Sequence, residues 1–170
     1  MKNYLILITS LFLLSCSPKK TKQIYSTLYG KNGIAYTNLD DDEMVKTIDS
    51  AKQTFKQFEA FFDDTIAYNY SIKVGIPYAY GKEQLWLNEI SKKENKYFGR
   101  VSNNPVFVKN LKYNDYIEIP LHLISDWLVL KHDTLLAGGY TLRLLRNRLP
   151  KEERKIFDDQ TQIKHYLIEE

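Results

Sequence analysis

Two apolar rhythms meet between residues 62 and 68, and they decide what this chain can fold into. Met44, Ile48, Ala51, Phe55, Phe58 and Phe62 step by four, three, four, three and four, which puts them on one face of a helix. From Tyr68 the step becomes two: Tyr68, Tyr70, Ile72, Val74 and Ile76 alternate with Asn69, Ser71, Lys73 and Gly75, the signature of a strand with one buried face. Residues 84–90, 97–102, 116–119 and 124–130 read as further strands. Polar turns at residues 92–96, 113–115 and 131–133 separate them, and Pro120 closes the fourth strand. The sequence therefore predicts an α+β fold: an antiparallel β meander of about five strands packed on one long amphipathic helix of about 20 residues.

Asp40, Asp41, Asp42 and Glu43 precede the helix, where carboxylates cap free amides and meet the positive end of the helix dipole. The cluster lacks the spaced ligands and mid-loop glycine of an EF-hand, so it is read as a cap and not as a calcium site. After Gly138 and Gly139, Thr141 is expected to cap a short helix carrying Leu142, Leu145 and Leu149. Pro150 then starts a second one, with Glu152 and Glu153 early and Lys155 later. These are the short C-terminal helices of the predicted fold; residues 160–170 read as an amphipathic tail.

The N-terminal end has a different logic. Lys2, an apolar run over residues 4–14 and the small residue Ser15 precede Cys16, the order of a secretory signal. The run is shorter than the about 20 residues of a spanning helix. Residues 13–16, Leu-Leu-Ser-Cys, resemble the lipobox of bacterial lipoproteins. That resemblance implies diacylglycerol on Cys16, cleavage before it, and a membrane partner reached through lipid. Ser17 without a following aspartate implies, by the same resemblance, the periplasmic face of the outer membrane. The expected organisation is a signal peptide at 1–15, a lipidated cysteine, tether and irregular lead-in at 16–39, the folded domain at 40–159 and the tail at 160–170. The lead-in carries one short candidate strand near residues 34–36.

Cys16 is the one cysteine, so its lipidation leaves no thiol for a disulfide, a thiolate metal site or a nucleophile. Removing residues 1–15 takes away Lys2 and no acid, lowering the formal charge from +3 to +2. Such a near-neutral balance gives no support to nucleic-acid binding. Thirteen tyrosines, eight phenylalanines and two tryptophans leave stability to aromatic packing.

Several segments in order resemble the YegJ-like family, a bacterial domain of unknown function. They are Asp41–Met44 leading to Ile48, Ala51, Thr54 and Phe55; Ser71–Val74; Glu83–Leu87; Phe98–Arg100 with Asn104 and Pro105; Tyr113–Ile117; Ile124–Trp127; and Gly138–Arg143. Asn114 stands where that family often has glycine, and asparagine tolerates a left-handed backbone. The resemblance implies a compact α+β domain and carries no activity, cofactor or catalytic residue.

Candidate sites follow from residue chemistry. Ser125, Asp126 and His122 invite a catalytic reading, but neighbours on a strand point to opposite faces and no oxyanion-hole loop is evident. His122, His132 and His165 match no metal-ligand spacing. Asp126 and Arg143 suit a carboxylate–guanidinium pair covered by Trp127 and Tyr140, either as a structural cluster or as the wall of a binding groove. Arg146, Arg148, Lys151 and Arg154 form a basic stretch suited to anionic lipid, or to a solvated helix face. The leading functional expectation is a non-enzymatic envelope module that binds a protein or small ligand, of inhibitor or immunity type. The alternatives are an envelope hydrolase using Asp126, Glu118 or Glu83 as general acid or base, and a purely structural envelope protein.

Overall fold

A computed structural model describes residues 41–62 and 68–167, all within the compact unit Leu39–Glu170. The expected signal peptide at 1–15, Cys16, the tether and lead-in at 16–39, and Asp40 lie outside the described residues.

Helix α1 (Asp42–Gln53) starts where the Asp41 carboxylate accepts the Met44 N–H at 2.7 Å. The phenylalanine stripe does not continue as one long helix. It breaks at Thr54 into α1 and α2 (Phe55–Phe62), and hydrogen bonding explains the break. The Ala51 carbonyl, which a continuous helix would give to the Phe55 N–H, accepts the Trp127 indole N–H at 2.8 Å. The Thr54 hydroxyl donates to the Ser50 carbonyl at 2.8 Å, a competing bond of the kind that bends helices. Both pieces still turn the stripe toward the sheet, so the periodicity survives the break.

The sheet has seven strands where about five were expected: β1 (Asn69–Tyr78), β2 (Gly81–Lys93), β3 (Lys96–Val101), β4 (Tyr116–Glu118), β5 (Ile124–Lys131), β6 (Thr134–Gly138) and β7 (His165–Tyr166). Their order is β4-β3-β2-β1-β5-β6-β7. Every pairing is antiparallel except β6 with β7. A turn of 3-10 helix, Leu121–Leu123, leads into β5. Strand β6 is a short apolar run with little alternation, and β7 has two residues, so neither announces itself locally. The residues read as a tail instead supply β7 and the buried Ile163. Helices α3 (Tyr140–Arg148) and α4 (Lys151–Thr161) complete the fold.

One face of the sheet, with Ile72, Val74, Leu85, Leu87, Trp127 and Val129, packs against Ala51 and Phe58. Phe58 is 0% exposed, stacks on Phe55 at 5.1 Å and meets Trp127 edge-on at 6.0 Å. Burial of such a ring contributes about 2–3 kcal/mol before its ring contacts are counted. On the opposite face, Leu128, Leu135 and Ile163 form a second cluster joined by Trp86, Leu142 and Tyr166.

Candidate functional site

The residues singled out in the sequence gather where β5, β6 and α3 meet. Asp126 lies opposite Lys73 of β1 and is 0% exposed. One carboxylate oxygen accepts the N–H of Trp127 at 2.8 Å and of Tyr140 at 3.1 Å. The other accepts the N–H of Thr141 at 2.9 Å and the Thr141 hydroxyl. That hydroxyl oxygen in turn accepts from Lys73 Nζ at 2.8 Å.

The N-cap position of α3 is Gly139, with no side chain to give, so a carboxylate from the sheet caps the helix in its place. Thr141, expected as the cap, lies inside the helix and bonds to that carboxylate. Gly138, with φ +71°, could not carry a side chain, because a Cβ there would sit 2.2 Å from the Trp127 carbonyl oxygen. Burial pushes the Asp126 carboxyl up from its ordinary range and the Lys73 ammonium down, while attraction between the two opposes both shifts.

Arg143 is not the partner of Asp126. Its Nε donates to the Gly138 carbonyl at 3.0 Å and its guanidinium lies 5.8 Å from the Tyr166 ring. Among the described residues its Nη2 is buried without a hydrogen-bond partner. Arg143, on α3, turns back to the Gly138 carbonyl at the end of β6, and cross-strand register gives Asp126 of β5 to Lys73 instead. Trp127 faces the other way, to Ala51, and meets the half-buried Tyr140 edge-on at 5.9 Å. Asp126 and Trp127 are both 0% exposed and offer no surface to a ligand.

The basic stretch is largely committed within the fold. Arg146 grips Asp158 through two bonds, 2.6 and 2.8 Å, and lies 4.6 Å from the Tyr166 ring. Arg148 forks onto Asp41 and Glu43. Arg154 donates to the Leu149 and Asn147 carbonyls at 3.1 Å each. Lys151 is exposed, beside Lys155 and Lys164 on a shallow concavity.

The other carboxylates weighed as acid or base also have partners. Glu83 accepts the N–H groups of Val106, Phe107 and Val108, which pins the loop between β3 and β4. Glu118 is exposed and pairs with Lys96 at 2.9 Å. The Ser125 hydroxyl donates to Gln84 while Asp126 turns to α3, so the Ser125, Asp126 and His122 trio is not assembled. No group of three or more histidine, cysteine or acidic side chains among the described residues is arranged to hold a metal ion.

The sequence pattern of a bacterial family described as an uncharacterized protein conserved in bacteria, DUF2314, matches residues 41–165. The chain belongs to this family. The uncharacterized protein YegJ of Escherichia coli (strain K12) is 29% identical over 114 residues, covering 67% of this chain and 74% of that protein. A putative ankyrin repeat protein of Neisseria meningitidis serogroup B is 24% identical over 142 residues, 77% of this chain and 55% of that relative. The chain thus spans little more than half of that second protein. No solved structure matches. The DUF2314 match contains both the Lys73–Thr141–Asp126 chain and the Glu83 clamp, and the YegJ-like resemblance stands.

Sequence reasoning missed a second feature of this DUF2314 domain. On the sheet face opposite the phenylalanine helices, the C-terminal segment covers the β5–β6 half. Across β2, β3 and β4 the same face carries Trp86, Asn88, Phe98, Arg100 and Tyr116. Phe98 and Tyr116 stack at 5.9 Å, the Arg100 guanidinium lies 5.5 Å from the Tyr116 ring, and the hydroxyls of Tyr116 and Ser91 are 2.6 Å apart. Tyr116 is 45% exposed. The signal was present in the alternation itself, whose non-core positions on β2 and β3 include aromatic residues where a solvated face needs none.

Proposed function

We propose that this protein is a lipid-anchored module of the bacterial envelope, held through Cys16 at the periplasmic face of the outer membrane, that binds a protein partner and performs no catalysis. The observation that carries the binding role is the group of Phe98, Arg100 and Tyr116 on the sheet face left open by the C-terminal segment. Aromatic rings and arginine dominate binding hot spots because they bring large area and directed polar contacts at little entropic cost. Such a strand face suits a module that itself acts as an inhibitor or immunity-type partner.

The carboxylate-hydrolase alternative draws less support. Asp126 is spent on capping α3 and Glu83 on three backbone amides. The anchor rests on the lipobox-like residues 13–16 and the single cysteine.

The test is affinity capture from crosslinked cells with the Cys16-bearing chain and with an Arg100→Glu/Tyr116→Ser double variant. The expected result is a reproducible partner that the double variant loses while its melting temperature stays near that of the parent. Undiminished capture by the variant, or no partner together with turnover in a hydrolase panel, would overturn the reading. Cys16→Ser should release the protein from membranes; retention at full precursor size would remove the anchor from the proposal.

A further inference from the structure

Strand β1 runs on past Val74, its last pairing with β5, and the space beside that overhang is a cavity of about 390 Å³ between α1, the 3-10 turn and the β1–β2 hairpin. Its walls are chemically divided. Val45, Ile48, Leu123 and Ile124 give an apolar side, and Gln84, Ser125, His122 and Lys82 a polar one.

Gly75 shapes the polar wall. A Cβ there would fall 2.9 Å from Gln84 Nε2, so the absent side chain lets the Gln84 amide lie across β1. Its carbonyl end accepts the Ser125 hydroxyl, and Ser125 is 4% exposed. Held by its oxygen, the amide leaves its NH2 end over Gly75, itself part of the cavity lining.

The charge of the lining is small and positive. Lys52 is offset by Asp49 at 3.6 Å, whereas Lys82 makes no ion pair among the described residues. A donor pair made of one amide and one ammonium beside an apolar wall matches a singly charged, two-oxygen acceptor with a hydrocarbon tail. A phosphate or a polyanion would need more cations than Lys82 supplies.

We propose that this cavity is a binding site for a small organic carboxylate with an apolar tail. The Gln84 amide and Lys82 hold the carboxylate, and Val45, Ile48, Leu123 and Ile124 receive the tail. This site shares no residue with the Phe98–Arg100–Tyr116 face, so its failure and the failure of partner capture are distinguishable results.

The test uses the purified full-length chain, with hexanoate as probe and hexanamide as its uncharged counterpart, followed by NMR. The expected result is saturable shifts at the Gln84 side-chain amide and at the backbone amides of Gly75, Gly81 and Ser125, with hexanamide bound far more weakly. Gly75→Ala displaces the Gln84 amide and is expected to weaken hexanoate on the order of tenfold, as losing a hydrogen bond to a charged group implies. Should that variant fold poorly, Lys82→Gln, an exposed change, should weaken hexanoate and leave hexanamide unaltered. Shifts that do not saturate, equal binding of acid and amide, or hexanoate affinity unmoved by Lys82→Gln would each overturn the proposal.

Discussion

Asp126 shows how one side chain can hold two elements together. Three of its four acceptor contacts join β5 to the start of α3, and its charge faces Lys73 across the sheet. A buried carboxylate is tolerated only where donors replace the water it has lost. Truncation leaves the Lys73 ammonium enclosed without a counter-charge and the first amides of α3 without a cap. Asp126→Ala should therefore cost about 3 kcal/mol in urea unfolding, the low end for breaking a buried pair. A cost below about 1 kcal/mol would mean that the contacts contribute no more than a surface pair. From sequence, the burial of Asp126 and its need for a partner were readable. The partner was not, because strand pairing brings Lys73 to it from far along the chain while Arg143 lies closer in sequence.

At the scale of elements, legibility followed one-sidedness. Helices α1 and α2 turn one apolar face to the sheet and strand β1 keeps its large apolar side chains on one face, and such one-sidedness writes a period into the sequence. Strand β6 lacks that contrast, and β7 exists as strand only because β6 lies beside it. The break at Thr54 was unreadable for a related reason, since the Trp127 indole that takes the Ala51 carbonyl comes from β5. Trp127→Phe removes that indole donor, and two effects of opposite sign should follow. Global stability should fall by about 2 kcal/mol through the lost bond and the smaller ring. Meanwhile the Phe55 amide should become slower to exchange, because the Ala51 carbonyl is returned to it. Unchanged exchange at Phe55 would show that the Thr54 hydroxyl breaks the helix unaided. A second element depends on Glu83, which holds the loop after β3 by three amides. Glu83→Gln keeps the shape but loses the charge and one acceptor, so the amides of Val106, Phe107 and Val108 should exchange faster than those of β1 and β5. Uniform acceleration would instead indicate global destabilisation.

Across the whole molecule, the two ends of the helical layer are tied by Arg148. From the end of α3 it reaches Asp41 at 2.7 and 2.8 Å and Glu43 at 2.6 Å, while the same Asp41 carboxylate caps α1 through the Met44 N–H. The Arg148 hydrogen bond is the largest cause that holds the Asp41 carboxyl down at about 2, against an ordinary 3.8. A depressed carboxylate binds its proton more readily in the unfolded chain, so its contribution is complete above about pH 4 and fades as pH falls toward 2. Asp41 and Arg148 are each about one-third exposed, so solvent screens the pair and the effect on stability is smaller than the shift suggests. Arg148→Gln should lower the melting temperature at pH 6, and the gap to the parent should narrow steadily between pH 4 and pH 2 as Asp41 takes up its proton. Added salt at pH 6 should narrow the same gap, because the pair is accessible to counter-ions. A gap that persists undiminished at pH 2 would mean that Arg148 acts through the packing of its stem and not through its charge on Asp41.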